Sequence, residues 1–289
     1  MKYFEIKVAG LKKEEKLYTF LKQNGFSEHY LKQLRNIKDA IKVNDKTENI
    51  NVVINNDDII QIASNPFKAT EIELINKPLD IVYEDDYFLL VNKPPMLATM
   101  PSRSHYKNNL AGMVCNYMKD KDENYTLRVF NRLDREACGL ILISKNAVVH
   151  QKVKDIEKEY YAVCHGTIKK EITVKEPILT IVNNGINEMK RVCSPLGQSA
   201  ETTFIPIKNF NNKTLLKVKI FKGRTHQIRL HASHISHPLI GDKLYGIPDD
   251  YSHTYLCLKK ISFHFDITKQ DYSFEINLSP EFENVLKNS

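Results

Sequence analysis

One acidic residue has a setting that suggests chemistry. Asp134 lies within Asn131-Arg-Leu-Asp-Arg135, shortly before a strongly apolar stretch that begins at Gly139. Arg132 and Arg135 flank it, and close cations lower the pKa of a carboxylate by about 1–3 units. A carboxylate that stays ionised suits a nucleophile or a general base. The same pattern fits an aspartate bound to arginine in a structural loop, so the local sequence leaves both interpretations open.

A second segment of this kind runs from Phe221 to His231. Thr225 is predicted to cap a helix that starts near His226, and one turn then separates His226 from Arg229, so that both face the same site. The N-terminus of such a helix favours phosphate. The segment supplies cations for it, namely Lys222, Arg224 and Arg229. Ion pairing with acidic residues elsewhere is the alternative role for these cations.

A third segment is the predicted strand Lys158 to Val163, in which Tyr160 shares a face with Ala162. A strand tyrosine is usually part of the core, but it could also stack on a nucleic-acid base. Several histidines follow in the chain, with Asp242 as their nearest acidic residue: His226, His231, His234 and His237. No zinc site is expected from them, because catalytic zinc needs three convergent ligands.

Composition narrows the class of protein. The 289 residues are 42% hydrophobic, which suffices for a packed core, and the net charge of +7 is compatible with a polyanionic partner. The five cysteines form no C-x-x-C pair, which suits a reducing compartment. The charged N-terminus does not resemble a signal peptide, and the apolar runs are too short to span a bilayer. We therefore expect a cytoplasmic protein without a membrane segment.

The predicted elements indicate an α+β fold. From Leu79 onwards strands dominate, which predicts a catalytic domain over residues 79–289 around a mixed, mostly antiparallel β-sheet. The predicted strands are Ile81–Tyr83, Phe88–Val91, Gly139–Ile143, Lys158–Val163, Leu215–Ile220 and Tyr272–Leu278. The predicted helices are Leu110–Met118, Asn146–Asp155 and His226–Ser233.

Residues 1–64 are predicted to form a small N-terminal α/β module, followed by a linker over 65–78. Its predicted elements are a strand from Lys2 to Val8, a helix from Glu14 to Gln23, a helix capped by Ser27, and strands at 41–45 and 59–62. Basic residues recur at spacings of three to four in and after the second helix: Lys32, Arg35, Lys38 and Lys42. They form either a solvated face or a surface for RNA.

Taken together, the motifs resemble those of the RluA/RluD-type pseudouridine synthases. The family pattern H-R-L-D-x-x-T-S-G-L corresponds to 131–140, K-x-Y-x-A to 158–162, and G-R-T-H-Q-I-R-x-H is intact at 223–231. Further matches are Asn92-Lys-Pro94, Lys190-Arg-Val192, Ala200-Glu-Thr202, the segment 237–242 and Tyr245-Gly246. The order helix, helix, V-x-V-N turn and D-D-I-I in residues 1–64 resembles an RNA-binding module of a small-subunit ribosomal protein, with Asp39 and Asn44-Asp45 in place of the usual glycine and N-G turn.

The resemblance implies an enzyme that isomerises specific uridines of RNA, with ribosomal RNA favoured over transfer RNA. Asp134 would be the catalytic carboxylate acting on a flipped nucleotide, Tyr160 would stack on the uracil, and Arg229 would pair with Asp134. Arg132 would occupy the gap left by the flipped base. Leu230 would line the pocket. Further RNA-binding residues would be Arg224, His226, Lys32 and Arg35. No metal, no organic cofactor and a monomeric protein are expected.

Three departures from the family pattern keep an alternative open. Asn131 replaces the usual histidine, Ala137-Cys138 replaces Thr-Ser, and Met96 stands where a glycine is usual. A non-catalytic RNA-binding protein that retains the synthase fold is the alternative. Loss of pseudouridine formation with retained RNA binding would identify it. The sequence names neither the RNA nor the uridine positions.

Overall fold

The computed structural model describes residues 2–64, 72–102, 105–121, 125–183 and 188–287. The N-terminal part contains six strands and two helices within this range. Their bounds are β1 (Tyr3–Lys7), β2 (Glu15–Lys16), α1 (Leu17–Gln23), α2 (Glu28–Leu34), β3 (Ile41–Val43), β4 (Lys46–Thr47), β5 (Val53–Ile54) and β6 (Ile59–Ala63). Four strands form an antiparallel sheet in the order β1-β6-β3-β4, and β2 pairs with β5. The two predicted helices and the strands predicted near 2–8, 41–45 and 59–62 are confirmed. The first helix begins only at Leu17, because Glu15–Lys16 form the strand β2, and β4 and β5 were not predicted.

Local signals fix the turns of this part. Ser27 caps α2, because its side chain accepts the backbone N–H of Tyr30 at 3.3 Å. Asp39, Asn44 and Asp45 have φ values of 58°, 50° and 65°, in the left-handed region that favours glycine. Aspartate and asparagine are the residues that tolerate this region best apart from glycine. The two departures from the glycine-containing pattern thus keep the backbone that the pattern requires.

The N-terminal part packs against the rest of the chain. Ala147 and Val148 are fully or almost fully buried and belong to its hydrophobic cluster. The N–H of Ala147 donates to the carbonyl of Ser64 at 2.9 Å, and the N–H of Ser27 donates to the side chain of Gln151 at 3.1 Å. These contacts fix the N-terminal part against one end of the larger sheet.

That larger sheet has ten strands. The elements after residue 72 are β7 (Ile81–Glu84), β8 (Phe88–Lys93), α3 (Leu110–Met118), β9 (Arg128–Val129), β10 (Cys138–Ser144), α4 (Ala147–Gln151), β11 (Val153–His165), β12 (Ile172–Val174), β13 (Ile178–Asn183), β14 (Glu188–Cys193), β15 (Glu201–Phe210), β16 (Lys213–Phe221), α5 (Gln227–His234), β17 (Leu256–Phe265), β18 (Gln270–Glu275) and α6 (Pro280–Lys287). The main strand order is β12-β15-β16-β11-β17-β10-β8-β7, with β18 beside β17 and β9 beside β10. In the described part of the chain, every pair in this sheet is antiparallel except β10 with β17. The α+β prediction with a mixed, mostly antiparallel sheet is confirmed.

The centre of the sheet is buried on both faces. Every residue of β10 is buried, and its partner β8 buries all but one. Phe88 packs edge-on against Phe263 and Phe265, with ring centroids 5.0 and 4.8 Å apart. Aromatic pairs of this geometry add to the free energy gained from burial alone. The strands that flank the cavity described below therefore rest on a rigid core.

Gly139 allows the parallel contact between β10 and β17. It pairs with Leu258 and has a φ of 113°, and an added Cβ would lie 2.4 Å from the carbonyl oxygen of Leu258. A larger residue would therefore push the two strands apart.

Several predictions about elements need correction. The helix predicted over Asn146–Asp155 ends at Gln151, because the β-branched Val153 already begins the long strand β11. Lys190–Val192 and Ala200–Thr202, which the resemblance matches to middle strands of the family, lie in β14 and at the start of β15, whereas β13, β17 and α6 were not predicted. Half of the predicted linker, 65–71, lies outside the described residues, whereas Ile75 is buried against α3. In the described residues, no helix is both long and apolar enough to cross a membrane.

Candidate active site

A cavity of about 460 Å³ opens between the start of β10, the strand β11 and the N-terminal turn of α5. Its walls contain the three residues predicted to be catalytic, Asp134, Tyr160 and Arg229. Arg132, Arg224 and His226 also line it. Segments separated by almost 100 residues in sequence thus meet in one cleft.

The strand β17 sets the spacing of these residues. Leu258 of β17 pairs with Gly139 of β10 on one side and with Tyr160 of β11 on the other. Asp134 lies in the loop that enters β10, so it and Tyr160 approach the cavity from the two strands that flank β17. Arg229 reaches the same place from α5.

Arg229 binds three carboxylates at once. Its Nε and Nη2 donate to the two oxygens of Asp242 at 2.8 and 2.7 Å. Its Nη1 donates to Oδ2 of Asp134 at 3.3 Å and lies 3.6 Å from Oε2 of Glu136. The side chain of Arg229 is only 4% exposed, whereas that of Asp134 is 22% exposed. Arg229 is therefore anchored from behind by Asp242 and presents its remaining nitrogen to the carboxylate that faces the cavity.

Electrostatics keep the Asp242–Arg229 pair ionised. Burial alone would raise the pKa of Asp242, but hydrogen bonds and charge from Arg229, with the backbone N–H groups of Tyr245 and Leu244, lower it. Burial alone would lower the pKa of Arg229, and the surrounding carboxylates raise it instead. A bidentate arginine–carboxylate pair of this kind holds both groups in a fixed geometry. Asp134 thus faces a cation whose position is fixed.

Tyr160 forms a buried wall of the cavity. Only 6% of its surface is exposed, and burial together with the charge of Asp134 raises the pKa of its phenol. Its hydroxyl therefore keeps its proton at neutral pH. The ring can contact an aromatic base while the hydroxyl remains a hydrogen-bond donor.

His226 lies on the other side of Asp134 from Arg229. Its Nε2 is 4.0 Å from Oδ1 of Asp134, and its Nδ1 is hydrogen-bonded to the hydroxyl of Tyr245 at 3.0 Å. The Tyr245 ring also lies over the guanidinium of Arg229, 5.5 Å away. Sequence comparison had matched Tyr245 to a family motif without assigning it a role.

Lys93 is a buried residue that holds the loop of Asp134 through hydrogen bonds to its backbone. The side chain is completely buried, and its ammonium donates to the carbonyls of Leu97 and Ala137 at 2.7 and 2.5 Å. Longer bonds reach Pro94 at 3.0 Å and Arg135 at 3.3 Å. Burial lowers the pKa of Lys93 to about 8. Its place in the matched N-K-P segment was the only signal in the sequence.

Two of the three departures from the family pattern lie in buried positions, whereas Met96 is 43% exposed and keeps a left-handed φ of 61° where the family has glycine. The side-chain amide of Asn131 donates to the carbonyl of Leu140 at 2.9 Å and accepts the N–H of Leu142 at 3.0 Å. Ala137 and Cys138 are 1% and 8% exposed. Asn131 therefore acts as a support for β10, and no departure removes a group from the Asp134–Arg229 cluster.

Other site predictions are corrected by the geometry. Leu230 is not among the residues that line the cavity; it packs with Ile178, Ala200 and Tyr245, and the neighbouring Ile228 is one of the apolar residues that line it. Thr225 does not cap α5, because His226 occupies the cap position with a φ of 57° and no side-chain cap bond.

The predicted roles of the flanking cations also change. Arg135 pairs with Glu136, not with Asp134. Arg229 is occupied by carboxylates and is therefore not available to a phosphate at the helix N-terminus, although Arg224 still lines the cavity. Lys32 and Arg35 do not line this cleft. They are exposed in the N-terminal part, Lys32 on α2 and Arg35 just after it.

Potential metal ligands are scattered. Within the described ranges, no three histidine, cysteine or acidic side chains form a group that could hold a metal ion. His231 is buried, with its ring nitrogens bonded to Thr202 and to the carbonyl of Glu176 at 2.8 and 2.9 Å. His231 is therefore a structural residue.

Comparison with known proteins agrees with these features. A family model described as RNA pseudouridylate synthase matches residues 87–234, about half of the chain. An uncharacterized RNA pseudouridine synthase of Helicobacter pylori strain J99 is 34% identical over 220 residues, covering 73% of this chain and 79% of that protein. The uncharacterized RNA pseudouridine synthase YjbO of Bacillus subtilis is 29% identical over 91% of this chain and 95% of its own length.

One relative carries a more specific name. The ribosomal large subunit pseudouridine synthase D of Haemophilus influenzae is 32% identical over 72% of this chain and 65% of that protein. Among solved structures, Human RNA Pseudouridylate Synthase Domain Containing 1 is similar in fold, with a TM-score of 0.56 and 19% identity over 71% of this chain and 86% of that one. The family match spans the loop of Asp134, the strand of Tyr160 and the helix of Arg229, and this chain belongs to the RNA pseudouridylate synthase family.

Proposed function

We propose that this pseudouridine synthase modifies uridines of large-subunit ribosomal RNA, with Asp134 as the catalytic carboxylate acting on a nucleotide flipped out of the RNA. The observation that carries the proposal is the Asp134–Arg229 contact of 3.3 Å in a cavity that also contains Tyr160. The name of the Haemophilus influenzae relative supports the choice of RNA.

The cavity has the chemistry that the reaction needs. An embedded uracil must leave its stack before a side chain can reach it, which costs a few kcal/mol. Tyr160 offers a ring for stacking, and Arg132 and Arg224 offer positive charge to the RNA backbone at the cavity wall. A carboxylate whose position is fixed by a bound guanidinium can attack or deprotonate the nucleotide.

We also propose that different parts of the chain have different functions. Residues 1–64 would bind RNA through the exposed Lys32 and Arg35, 65–78 would link the two parts, and 79–289 would form the catalytic domain. The basic surface of α2 and the left-handed turns at Asp39 and Asn44-Asp45 support the resemblance to the ribosomal-protein module. In this proposal the protein is a monomer, acts in the cytoplasm and needs neither a metal nor an organic cofactor.

Asp134→Asn provides the direct test. The purified protein is incubated with an unmodified transcript of large-subunit ribosomal RNA in the presence of a chelator, and pseudouridine is mapped by chemical modification and sequencing. Wild-type protein should convert discrete uridines, and Asp134→Asn should reduce the rate by roughly 10³-fold or more, because the reacting carboxylate is lost. RNA affinity should change little.

Asp250→Asn serves as the matched control, because it makes the same aspartate-to-asparagine change at an exposed residue. If Asp134→Asn kept full activity, Asp134 would not be the catalytic carboxylate. A wild-type protein that binds the transcript but forms no pseudouridine in any RNA would instead favour the non-catalytic alternative. Conversion only of transfer RNA would correct the substrate.

A further inference from the structure

The two oxygens of the Asp134 carboxylate have different neighbours. Oδ2 accepts a hydrogen bond from Arg229 at 3.3 Å, whereas Oδ1 faces Nε2 of His226 at 4.0 Å. Arg229 cannot accept a proton, since a guanidinium stays charged in proteins. Of these two neighbours of the Asp134 carboxylate, His226 is therefore the one that can exchange a proton with it.

Tyr245 holds the other side of the His226 ring. Its hydroxyl is 3.0 Å from Nδ1 of His226 and accepts the backbone N–H of Arg191 at 3.3 Å. The two rings meet edge to face, with centroids 5.6 Å apart. A hydroxyl oxygen has two lone pairs, so Tyr245 can accept an Nδ1–H of His226 as well as the N–H of Arg191. This tautomer leaves Nε2, the nitrogen that faces Asp134, free to accept a proton.

The isomerisation requires a proton acceptor. The N1–C1′ bond of uridine breaks, the C5–C1′ bond forms, a proton leaves C5 and a proton is added at N1. When C5 loses its proton, the electron pair of the C5–H bond restores the double bond between C5 and C6. The reaction is balanced in protons, but a base must collect one and an acid must supply one.

The side chains around the cavity differ in their ability to accept this proton. Tyr160 is a weak acceptor, because burial and the charge of Asp134 raise the pKa of its phenol and keep the hydroxyl protonated. The imidazole of His226 is a better one, because burial lowers its pKa and keeps it neutral near pH 7. Asp134 and Glu136 raise this pKa, while Arg229 and Arg191 lower it.

We propose that His226, held by Tyr245, is a positioning and proton-relay residue that takes up the C5 proton from Asp134. The proton passes from C5 to Oδ1 of Asp134 and then to Nε2 of His226, and His226 returns a proton to N1 through water. The 4.0 Å separation must shorten when the substrate excludes water, as catalytic hydrogen bonds often do. The inference rests on the proposed role of Asp134 and assigns His226 to one further step, the removal of the C5 proton.

The test separates loss of the C5 proton from the earlier cleavage of the N1–C1′ bond. Wild type, His226→Gln and Tyr245→Phe are assayed in single turnovers on transcripts of large-subunit ribosomal RNA that carry uridine, 5-deuterouridine or 5-fluorouridine. The fluorinated base has no proton at C5, so any step that removes this proton is absent. Cleavage of the N1–C1′ bond is then measured without the relay.

His226→Gln should slow uridine conversion by about 10²-fold or more, the usual scale for general acid–base catalysis. It should also show a larger isotope effect with 5-deuterouridine than wild type, because proton loss becomes rate-limiting. Its rate of N1–C1′ cleavage on 5-fluorouridine RNA should equal that of wild type. Tyr245→Phe should change the same step in the same direction, but less.

His234→Gln is the matched control, since His234 is exposed near the end of the same helix. Thermal unfolding of each variant checks that the fold is retained. Equal slowing on uridine and 5-fluorouridine RNA, or slowing without a larger isotope effect, would overturn the relay. Failure of wild-type protein on all three transcripts would instead count against the proposed substrate.

Discussion

Lys93 is a single buried charge on which the loop of Asp134 depends. Its ammonium binds four backbone carbonyls, two of which, those of Arg135 and Ala137, lie one and three residues after Asp134. An apolar side chain of similar length would leave these acceptors without donors. A buried polar group without a partner costs roughly 1–3 kcal/mol.

Lys93→Met should therefore lower the free energy of unfolding by about 2–4 kcal/mol, because more than one acceptor is affected. The catalytic rate should fall as well, since the loop loses its fixed position. Urea unfolding and single-turnover conversion measure the two effects. Lys77→Met is the control, because Lys77 donates to Asn108 on the exposed surface. If both variants unfolded at the same urea concentration, Lys93 would not hold the loop.

The residues of the cleft could be predicted to different extents from the sequence. Asp134, Tyr160 and Arg229 were identified because they lie in motifs shared with a family, and the cavity brings them together. Asp242, which anchors Arg229, lies in the matched segment 237–242, but the sequence suggested no role for it beyond that of a possible zinc ligand. Its role depends on the distance between a turn and a helix face, which no local pattern specifies.

At the scale of elements, the sequence predicted strands with strong apolar or aromatic runs and helices with clear caps. The helix α3 begins at Leu110 and ends at Met118 as predicted, capped by Asn109. The strand β17 was missed although it lies between the strands of Asp134 and Tyr160. Its Lys259 and Lys260 interrupt the apolar pattern, because the strand is buried at one end and half-exposed in its middle.

Gly139 pairs β10 with β17, and its substitution tests how closely these two strands must approach each other. Gly139→Ala places a methyl group 2.4 Å from the carbonyl oxygen of Leu258, at a φ of 113° that alanine rarely adopts. We expect a loss of about 3 kcal/mol or more in the free energy of unfolding, from overpacking and backbone strain combined. Chemical denaturation followed by fluorescence or circular dichroism measures it.

Gly223→Ala is the control for this substitution. An added Cβ at Gly223 would lie 3.4 Å from the side chain of Ile220, a flexible neighbour. This variant should lose less than about 1 kcal/mol. A Gly139→Ala protein as stable as wild type would show that the parallel pairing tolerates a wider strand separation.

At the scale of the whole molecule, the N-terminal part is packed on the catalytic sheet. Ala147 and Val148 at the start of α4 complete its hydrophobic cluster, and Lys152 contacts the Phe26 ring at 4.1 Å. Deletion of residues 1–64 would expose this apolar surface and disturb the strand β11 that follows α4. Charge reversal on the surface of the N-terminal part is therefore a cleaner test of RNA binding than deletion.

Lys32→Glu combined with Arg35→Glu should weaken binding to ribosomal RNA without altering the cavity. Both side chains are exposed, on and just after α2. Each phosphate contact contributes about 0.7–0.9 to the slope of log affinity against log salt, so two lost contacts should reduce the slope by roughly 1–2. The single-turnover rate at saturating RNA should remain that of wild type, because Asp134, Tyr160 and Arg229 are untouched. Lys12→Glu with Lys13→Glu, an equal charge change elsewhere in the same part, should alter the slope less; equal slopes for the two double variants would mean that net charge, not the surface of α2, governs binding.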